Sequence, residues 1–273
     1  MRRALKNLLF SVLTAVLLLG GAELTLRLLG WPDPGIYAGD INSVWWLRAN
    51  LDRELPFPEE GTTFTVQTNA LGFRGDPTPH AIACVGDSTT FGWGVAVDEA
   101  WPARLAQHLG QPTLNAGVPG YSSHQGLHTV ARLLAAEPDT VVLAFLVRDA
   151  QLGARADHLS RPAPSRPRLL DALTVLVRRD APSTPPSAVR VPADRFRENL
   201  VAMTEQLTDA GIEVRLLGFP MLDPPEAHIE VLRELDATVV SLDRANFFEH
   251  DPIHLNAKGH DNLARLVAET WDP

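Results

Sequence analysis

The chain has 273 residues, of which 45% are hydrophobic and 21% are charged, and its formal net charge is −9. This composition is typical of one globular domain with an appendage. The acidic balance argues against nucleic acid as a partner, because phosphate binding requires clustered lysines and arginines. Cys84 is the only cysteine, so no intrachain disulfide can form, and its position in an apolar run predicts a buried thiol rather than a nucleophile.

Residues 1–30 have the pattern of an export signal or a membrane anchor. Arg2, Arg3 and Lys6 precede an apolar run from Leu8 to Ala22. Positive charges before an apolar run are typical of a targeting segment rather than of a helix in a soluble core. The sequence therefore predicts a protein that is exported.

Two interpretations of this segment remain open. The run is shorter than the roughly 20 residues that span a bilayer, and Gly20 and Ala22 fit a cleavage site, which predicts a secreted or periplasmic product. Leucines that continue past Glu23 slightly favour a retained single-pass anchor in the cell membrane, with the rest of the chain on the extracytoplasmic side. Three tryptophans then belong either at the outer membrane interface or against the domain: Trp31, Trp45 and Trp46.

Residues 31–79 are rich in Pro, Gly and Asn, which predicts a connecting arm that packs on the domain formed by residues 80–273. Strand and helix patterns alternate in that domain. Strands are expected at Ala81–Val85, Thr113–Ala116, Thr140–Val147, Ile212–Phe219 and Thr238–Leu242. Helices are expected at Trp101–Leu109, Gln125–Ala136, Arg195–Ala210, Val231–Leu235 and Ala257–Trp271. This alternation predicts an α/β fold with a central parallel sheet covered by helices on both faces.

A Pro- and Arg-rich insertion at residues 151–192 interrupts the alternation, with a short helix expected at Leu169–Arg179. Between Arg148 and Arg197 there are ten arginines against five acidic residues. Such a segment is most often a solvated loop. The alternative is a lid that attracts an anionic substrate, membrane headgroups or an acidic polymer.

Candidate catalytic residues lie just after the first expected strand, Ala81–Val85, and just before the last expected helix, Ala257–Trp271. Ser88 comes directly after Gly86 and Asp87 at a strand-to-helix turn, where a hydroxyl is held in the open. A serine needs a base that is itself oriented by a third group. Asp251 and His254, three residues apart before the final helix, provide a carboxylate and an imidazole that one turn can bring together. Each motif alone would be explained by helix capping, but the two together predict a nucleophile, a base and its orienting acid.

A metal site is the weaker interpretation of the same region. His250, His254 and His260 with Asp251 are possible zinc ligands, yet no HExxH-type helix or second ligand cluster accompanies them. A second histidine pair, at helical spacing, is explained by an amphipathic helix: His124 and His128. No metal and no cofactor are expected.

The chain resembles the SGNH/GDSL hydrolases, in particular their membrane-anchored bacterial branch. The segments that carry the resemblance are TNALGFRGD, VGDSTTFGWGV, NAGVPGYSSHQ, PDTVVLAFLVRDA and HDPIHLNAKGH, in this order between residues 68 and 270. The resemblance implies a flavodoxin-like three-layer α/β/α fold, and it implies ester or acyl-transfer chemistry with Ser88 as nucleophile, His254 as base and Asp251 as its partner. It also implies an oxyanion hole that includes the backbone N–H groups of Ser88 and Gly117.

One block departs from the family pattern. The family usually has Gly-x-Asn-Asp where this chain has Leu146-Val147-Arg148-Asp149, so the oxyanion Asn is missing. Arg148 either replaces it as a donor or turns away to pair with Asp149 or an acidic substrate.

Three functions are consistent with these residues. The first is a serine esterase acting on a lipid, carbohydrate or other small acyl ester. The second is an O-acyltransferase that modifies envelope or exopolysaccharide sugars, and the third is a non-catalytic binding protein that retains the fold.

Overall fold

Parallel strands form the centre of the molecule, and two hairpins precede them. In this computed structural model, residues 2–33, 35–40, 42–75, 81–159, 167–177, 185–219 and 225–271 are described. The strands are β1 Tyr37–Asp40, β2 Val44–Leu47, β3 Asp52–Phe57, β4 Thr62–Gln67, β5 Ile82–Gly86, β6 Thr113–Gly117, β7 Thr140–Ala144, β8 Leu152–Gly153, β9 Ala188–Val189, β10 Glu213–Gly218 and β11 Thr238–Val239. The helices are α1 Arg2–Leu28, α2 Ser88–Phe91, α3 Trp101–Leu109, α4 Ser123–Leu127, α5 Val130–Leu134, α6 Val147–Ala150, α7 Arg168–Val177, α8 Ala193–Asp209, α9 Glu226–Glu234 and α10 Ala257–Glu269.

The central sheet has the strand order β6-β5-β7-β10-β11, with every pairing parallel. This is the flavodoxin-like order, in which the chain reverses its direction of winding between β5 and β7. Ligands of such sheets bind where the strands end at that switch point. The predicted α/β/α fold is therefore confirmed, and β5 places its carboxyl end at the switch.

Alternate residues of β5 enter two hydrophobic clusters on opposite faces of the sheet, as the period of a strand requires. Ala83 and Val85 join a cluster that includes side chains of α8, whereas Ile82 and Cys84 join one built with α3 and α10. Because both faces are covered, the central strands β5 and β7 are almost continuously apolar rather than alternating. Cys84 is fully buried, as predicted, and burial raises the pKa of its thiol.

Residues 31–75 contribute to the core instead of merely connecting it to the N-terminus. β1 pairs with β2 and β3 with β4, each in an antiparallel hairpin. The side chains that this segment buries in the first cluster include Trp46, Leu47, Phe57, Val66 and Phe73. Trp46 is only 5% exposed, and Trp45 packs edge-on against Tyr121. For these two tryptophans, packing on the domain is the correct alternative, and the membrane-interface interpretation is wrong.

Several element boundaries differ from those predicted. The expected helix at Gln125–Ala136 is two short helices, α4 and α5, separated by a turn. The expected strand at Thr140–Val147 ends at Ala144, and the last strand stops at Val239 rather than Leu242. An unbroken apolar run cannot reveal where a strand gives way to a buried turn, because both are equally apolar.

The insertion is closed at its base by β8 and β9, which pair antiparallel. Beside this ladder, Arg190 donates two hydrogen bonds to the Asp157 carboxylate, at 3.0 and 2.8 Å. The expected helix at Leu169–Arg179 is α7, and residues 178 and 179 lie outside the described residues.

Candidate active site

Ser88 lies at the carboxyl end of β5, at the first position of α2. The preceding Asp87 caps that helix, because its carboxylate accepts the N–H of Thr89 at 2.8 Å. Gly92 ends the helix in the left-handed conformation, with φ of 82°. Burial raises the pKa of Asp87, although the charge of Arg148 acts in the opposite direction. The sequence Gly-Asp-Ser thus builds a rigid turn that fixes the serine hydroxyl.

The loop that carries Asp251 and His254 is held between two anchors. Phe247 and Leu255 form an isolated antiparallel bridge, and Asn256 caps α10 by accepting the N–H of Gly259 at 2.9 Å. Within the loop, the Asp251 carboxylate accepts the backbone N–H of Ile253 at 2.9 Å. This Asx turn is the reason that a spacing of three residues brings the carboxylate to the imidazole.

The three predicted catalytic side chains meet in one hydrogen-bonded line. His254 Nε2 lies 2.9 Å from Ser88 Oγ, and His254 Nδ1 lies 2.5 Å from an Asp251 carboxylate oxygen. Burial raises the pKa of Asp251, but the hydrogen bond and charge of His254 outweigh it, so the pKa lies below its usual value. An ionised Asp251 accepts from Nδ1–H and leaves Nε2 as the acceptor for the serine proton.

Arg148 reaches the same hydroxyl from the β7 side. Its Nη2 lies 3.5 Å from Ser88 Oγ, and its Nη1 donates to Gln151 Oε1 at 2.8 Å. Asp149 accepts instead from the N–H and hydroxyl of Ser123. Of the alternatives drawn from the sequence, the structure therefore has Arg148 beside the Ser88 hydroxyl and not paired with Asp149.

Gly117 does not present a free donor. Its N–H donates to Asn115 Oδ1 at 3.0 Å. A Cβ at this position would lie 2.2 Å from the backbone nitrogen of Phe91, so glycine is required here for β6 to approach α2. This geometry gives Gly117 a packing role, and its expected role in the oxyanion hole stays a prediction.

The histidines of the weaker metal interpretation are not assembled as a ligand set. His260 is fully buried and accepts the N–H of Trp101 at 3.1 Å, and burial lowers its pKa to about 3. His250 is exposed and faces Glu60. The rings of His124 and His128 are 5.5 Å apart. Among the described residues, no three His, Cys, Asp or Glu side chains are arranged to hold a metal ion.

Glu60, in the turn between β3 and β4, is a site residue that the sequence did not reveal. Its carboxylate accepts the backbone N–H groups of His250 and Asp251, at 2.6 and 3.0 Å. The arm therefore holds the loop of the acid and the base from a position some 190 residues away in the chain. No motif surrounds Glu60, and only the fold brings it there.

Fold and side chains together define the class of protein: a flavodoxin-like α/β domain with Ser, His and Asp in hydrogen-bond contact at the carboxyl ends of its strands. The profile of the GDSL-like lipase/acylhydrolase family matches residues 84–261. The chain belongs to this family, and it is a hydrolase that acts on ester bonds.

Solved structures match this chain at low sequence identity. A protein assigned to the G-D-S-L lipolytic family from Desulfitobacterium hafniense DCB-2 is 16% identical, with a TM-score of 0.50 over 70% of this chain and 99% of that chain. A carbohydrate esterase family 3 structure from Talaromyces cellulolyticus is 13% identical, with a TM-score of 0.42 over 69% of this chain and 94% of that one. No curated protein matches this chain.

Proposed function

We propose that this protein is a serine esterase that works through an acyl-enzyme. The observation that carries the proposal is the line of contacts from Asp251 through His254 to Ser88. His254 Nε2 takes the hydroxyl proton as Ser88 Oγ bonds to the ester carbonyl carbon. The tetrahedral intermediate then collapses, its C–O bond to the alcohol breaks, and His254 returns the proton to the alcohol oxygen. Water repeats both steps on the acyl-enzyme and releases the acid.

Two donors are proposed for the developing oxyanion. The N–H of Ser88 is at the start of α2, where backbone donors lack partners within the helix. Arg148 brings a fixed positive charge beside the nucleophile, and a guanidinium is a strong donor to a developing negative charge. The Gly117 N–H would contribute only by giving up its bond to Asn115.

The proposed substrate is a small acyl ester of a carbohydrate or lipid outside the cell, with α1 as a membrane anchor. α1 has 27 residues and a mean hydropathy of 1.9 in its most apolar window. A cleaved signal sequence would have the same properties. The chain would then be secreted or periplasmic with the same catalytic machinery.

Serine-directed labelling tests the nucleophile. The pure protein is expected to react with a fluorophosphonate, and Ser88→Ala is expected to lose both labelling and ester hydrolysis, because it removes the attacking oxygen. Ser187→Ala, at an exposed serine of the insertion, is the matched control and should behave as the wild type. Retention of full activity by Ser88→Ala would exclude this mechanism, and a wild type that neither labels nor hydrolyses esters would support the binding-protein alternative.

Arg148→Ala tests the proposed oxyanion donor. Loss of one oxyanion donor lowers kcat by about 10²–10³, and we expect a fall of that size while fluorophosphonate labelling slows. Arg148→Asn restores a neutral amide and is expected to lose less. Arg155→Ala, at an exposed arginine of the same charge-rich segment, should leave kcat unchanged. Equal kcat values for wild type and Arg148→Ala would remove Arg148 from the mechanism.

Product analysis distinguishes the esterase from the acyltransferase. An activated acetyl ester incubated with the enzyme and a sugar acceptor gives free acid if water deacylates the enzyme. An acylated sugar that forms at the expense of free acid would assign the acyltransferase instead. Both outcomes require Ser88.

A further inference from the structure

The helix α7, inside the insertion, exposes an apolar face that no described residue covers. Leu170, Leu173 and Val177 are 48%, 48% and 74% exposed, and their i, i+3, i+7 spacing places them on one face. Asp171 lies on the other side of the helix. Exposing three large aliphatic side chains to water is unfavourable by about 25 cal/mol per Å² of apolar surface. Burial of this face in an apolar environment would therefore be favourable.

The N-terminus of α7 is hydrogen-bonded to α1. The Glu23 carboxylate of α1 accepts the backbone N–H groups of Arg168 and Leu169, at 3.0 and 2.9 Å. These are donors of the first turn of α7, which have no partner within that helix. Arg168 also donates to the carbonyl of Pro32 at 2.6 Å. α7 is thus held at one level of α1, that of residue 23.

The position of Glu23 in α1 coincides with the end of the apolar run from Leu8 to Ala22. None of the α1 residues is buried, and a 27-residue helix is about 40 Å long, enough to cross a bilayer. Glu23 pairs with Arg27 at 2.7 Å, and no other acidic residue precedes them in the chain. If α1 spans the membrane, the Glu23–Arg27 pair marks the boundary between hydrocarbon and headgroups.

The sequence around α7 fits a lipid surface better than a protein partner. Arg166 and Arg168 stand at its start and Arg178 and Arg179 follow it. An apolar helix face flanked by arginines is typical of helices that lie in the interface of anionic membranes.

We propose that α7 is an interfacial helix, with Leu170, Leu173 and Val177 inserted among the acyl chains of the leaflet from which α1 emerges. The proposal rests on the anchoring role of α1 and is independent of the catalytic proposal.

The test places an environment-sensitive nitrobenzoxadiazole probe on introduced cysteines of the full chain in vesicles of phosphatidylcholine and phosphatidylglycerol. Cys84 is buried, so the unmodified protein serves as the labelling blank. Leu173→Cys and Val177→Cys report the apolar face of α7, Asp171→Cys is the matched control on its other side, and Leu13→Cys reports α1.

We expect the probes at 173 and 177 to shift to shorter emission wavelengths and to be quenched by lipids with a nitroxide near the headgroup. The probe at 171 should remain in water, and removing phosphatidylglycerol should reduce the quenching at 173 and 177 but leave the emission of the probe at 13 unchanged. Aqueous emission at 173 and 177 would overturn the proposal even with full esterase activity. Blue-shifted emission without quenching by nitroxide lipids would also overturn it, since a second protein copy would then cover α7. Emission from the probe at 13 at the wavelength seen in water would remove the anchor and the proposal with it, while hydrolysis by Ser88 would be unaffected.

Discussion

Asp149 is a carboxyl group that the catalytic proposal does not use, and none of its hydrogen-bond partners among the described residues is charged. It is fully buried, it accepts the Ser123 N–H at 2.9 Å, and its second oxygen has no hydrogen-bond partner among the described residues. Burial raises its pKa to about 7, and the hydrogen bonds from Ser123 only partly oppose this. The folded protein therefore holds a proton on Asp149 that the unfolded chain releases near its ordinary pKa of about 3.9.

This difference predicts a pH dependence of stability. Between about pH 4 and 7 the folded state binds the extra proton, so the contribution of Asp149 to stability is present at acid pH and is lost as the pH rises through 7. Asp149→Asn cannot ionise, and its Tm relative to the wild type should rise steadily from pH 4 to pH 8. The measurement is thermal unfolding across this range, with Asp209→Asn at an exposed position as the control. Parallel Tm curves for wild type and Asp149→Asn would contradict the buried, protonated carboxyl.

Residue-level prediction from the sequence works where function is concentrated in short motifs. Ser88, Asp251 and His254 were predictable because Gly-Asp-Ser and Asp-x-x-His each fold into a local turn that sets their geometry. The contact of Arg148 with Ser88 depends on how β7 ends, and the bond from Gly117 to Asn115 depends on how β6 meets α2. Neither contact could be read from the motifs, so the Arg148 alternatives stayed open and the role of Gly117 in the oxyanion hole stays a prediction.

At the scale of elements, the hairpin of β3 and β4 stabilises the site from outside the sheet. Buried Arg74, just after this hairpin, donates to the carbonyls of Gly92 and Val95 where the chain leaves α2, each at 2.7 Å. It also donates to Thr65 of β4 at 3.1 Å. Burial lowers the pKa of Arg74 to about 9. The hairpin thus contacts the loop of Asp251 and His254 through Glu60, and Arg74, which follows the hairpin, contacts the end of the helix that begins at Ser88.

Glu60→Ala tests this support. The variant leaves the N–H groups of His250 and Asp251 without their acceptor, and a hydrogen bond to a charged group contributes about 1.5–3 kcal/mol. If misplacement of Asp251 raises the activation free energy by about half of that amount, kcat falls about tenfold, since about 1.4 kcal/mol corresponds to a factor of ten. Glu59→Ala, at the exposed neighbouring position, is the control. We expect KM to change little. Glu60→Gln keeps an acceptor oxygen and should recover most of the lost kcat. Equal kcat values for Glu60→Ala and Glu59→Ala would show that the hairpin does not position the loop.

For the secondary-structure elements, the sequence predicted the type better than the boundaries. Buried strands such as β7 were recognisable because β-branched runs covered on both faces lack alternation. The four strands of residues 31–75 were not, because their short hairpins contain Pro and Gly and have no period long enough to detect. Their stability comes from burying Trp46, Phe57 and Phe73 against the sheet, which is a tertiary effect.

For the whole molecule, the alternation of strands and helices sufficed to predict the parallel three-layer arrangement, because right-handed crossovers leave few topologies. How the N-terminal segment relates to the domain was beyond the sequence. The structure ties α1 to the domain through the Glu23 contacts with α7 and through Arg53, which donates to Asp33 at 2.8 Å. None of these contacts is part of the hydrophobic core.

The separation of anchor and core predicts the behaviour of a chain that lacks residues 1–30. Since no α1 residue is buried, residues 31–273 should fold with nearly the same Tm and hydrolyse a soluble chromogenic ester at nearly the same kcat as the full chain. The shortened protein should be recovered in the aqueous fraction, whereas the full chain should stay with membranes after alkaline carbonate extraction. Glu23→Gln in the full chain is the matched control, because it weakens the contact with α7 but keeps the span, so it should remain in the membrane fraction. A mature protein whose intact mass shows loss of residues 1–22 would contradict the anchor, because cleavage after Ala22 would leave Glu23 at the new N-terminus and release the domain from the membrane.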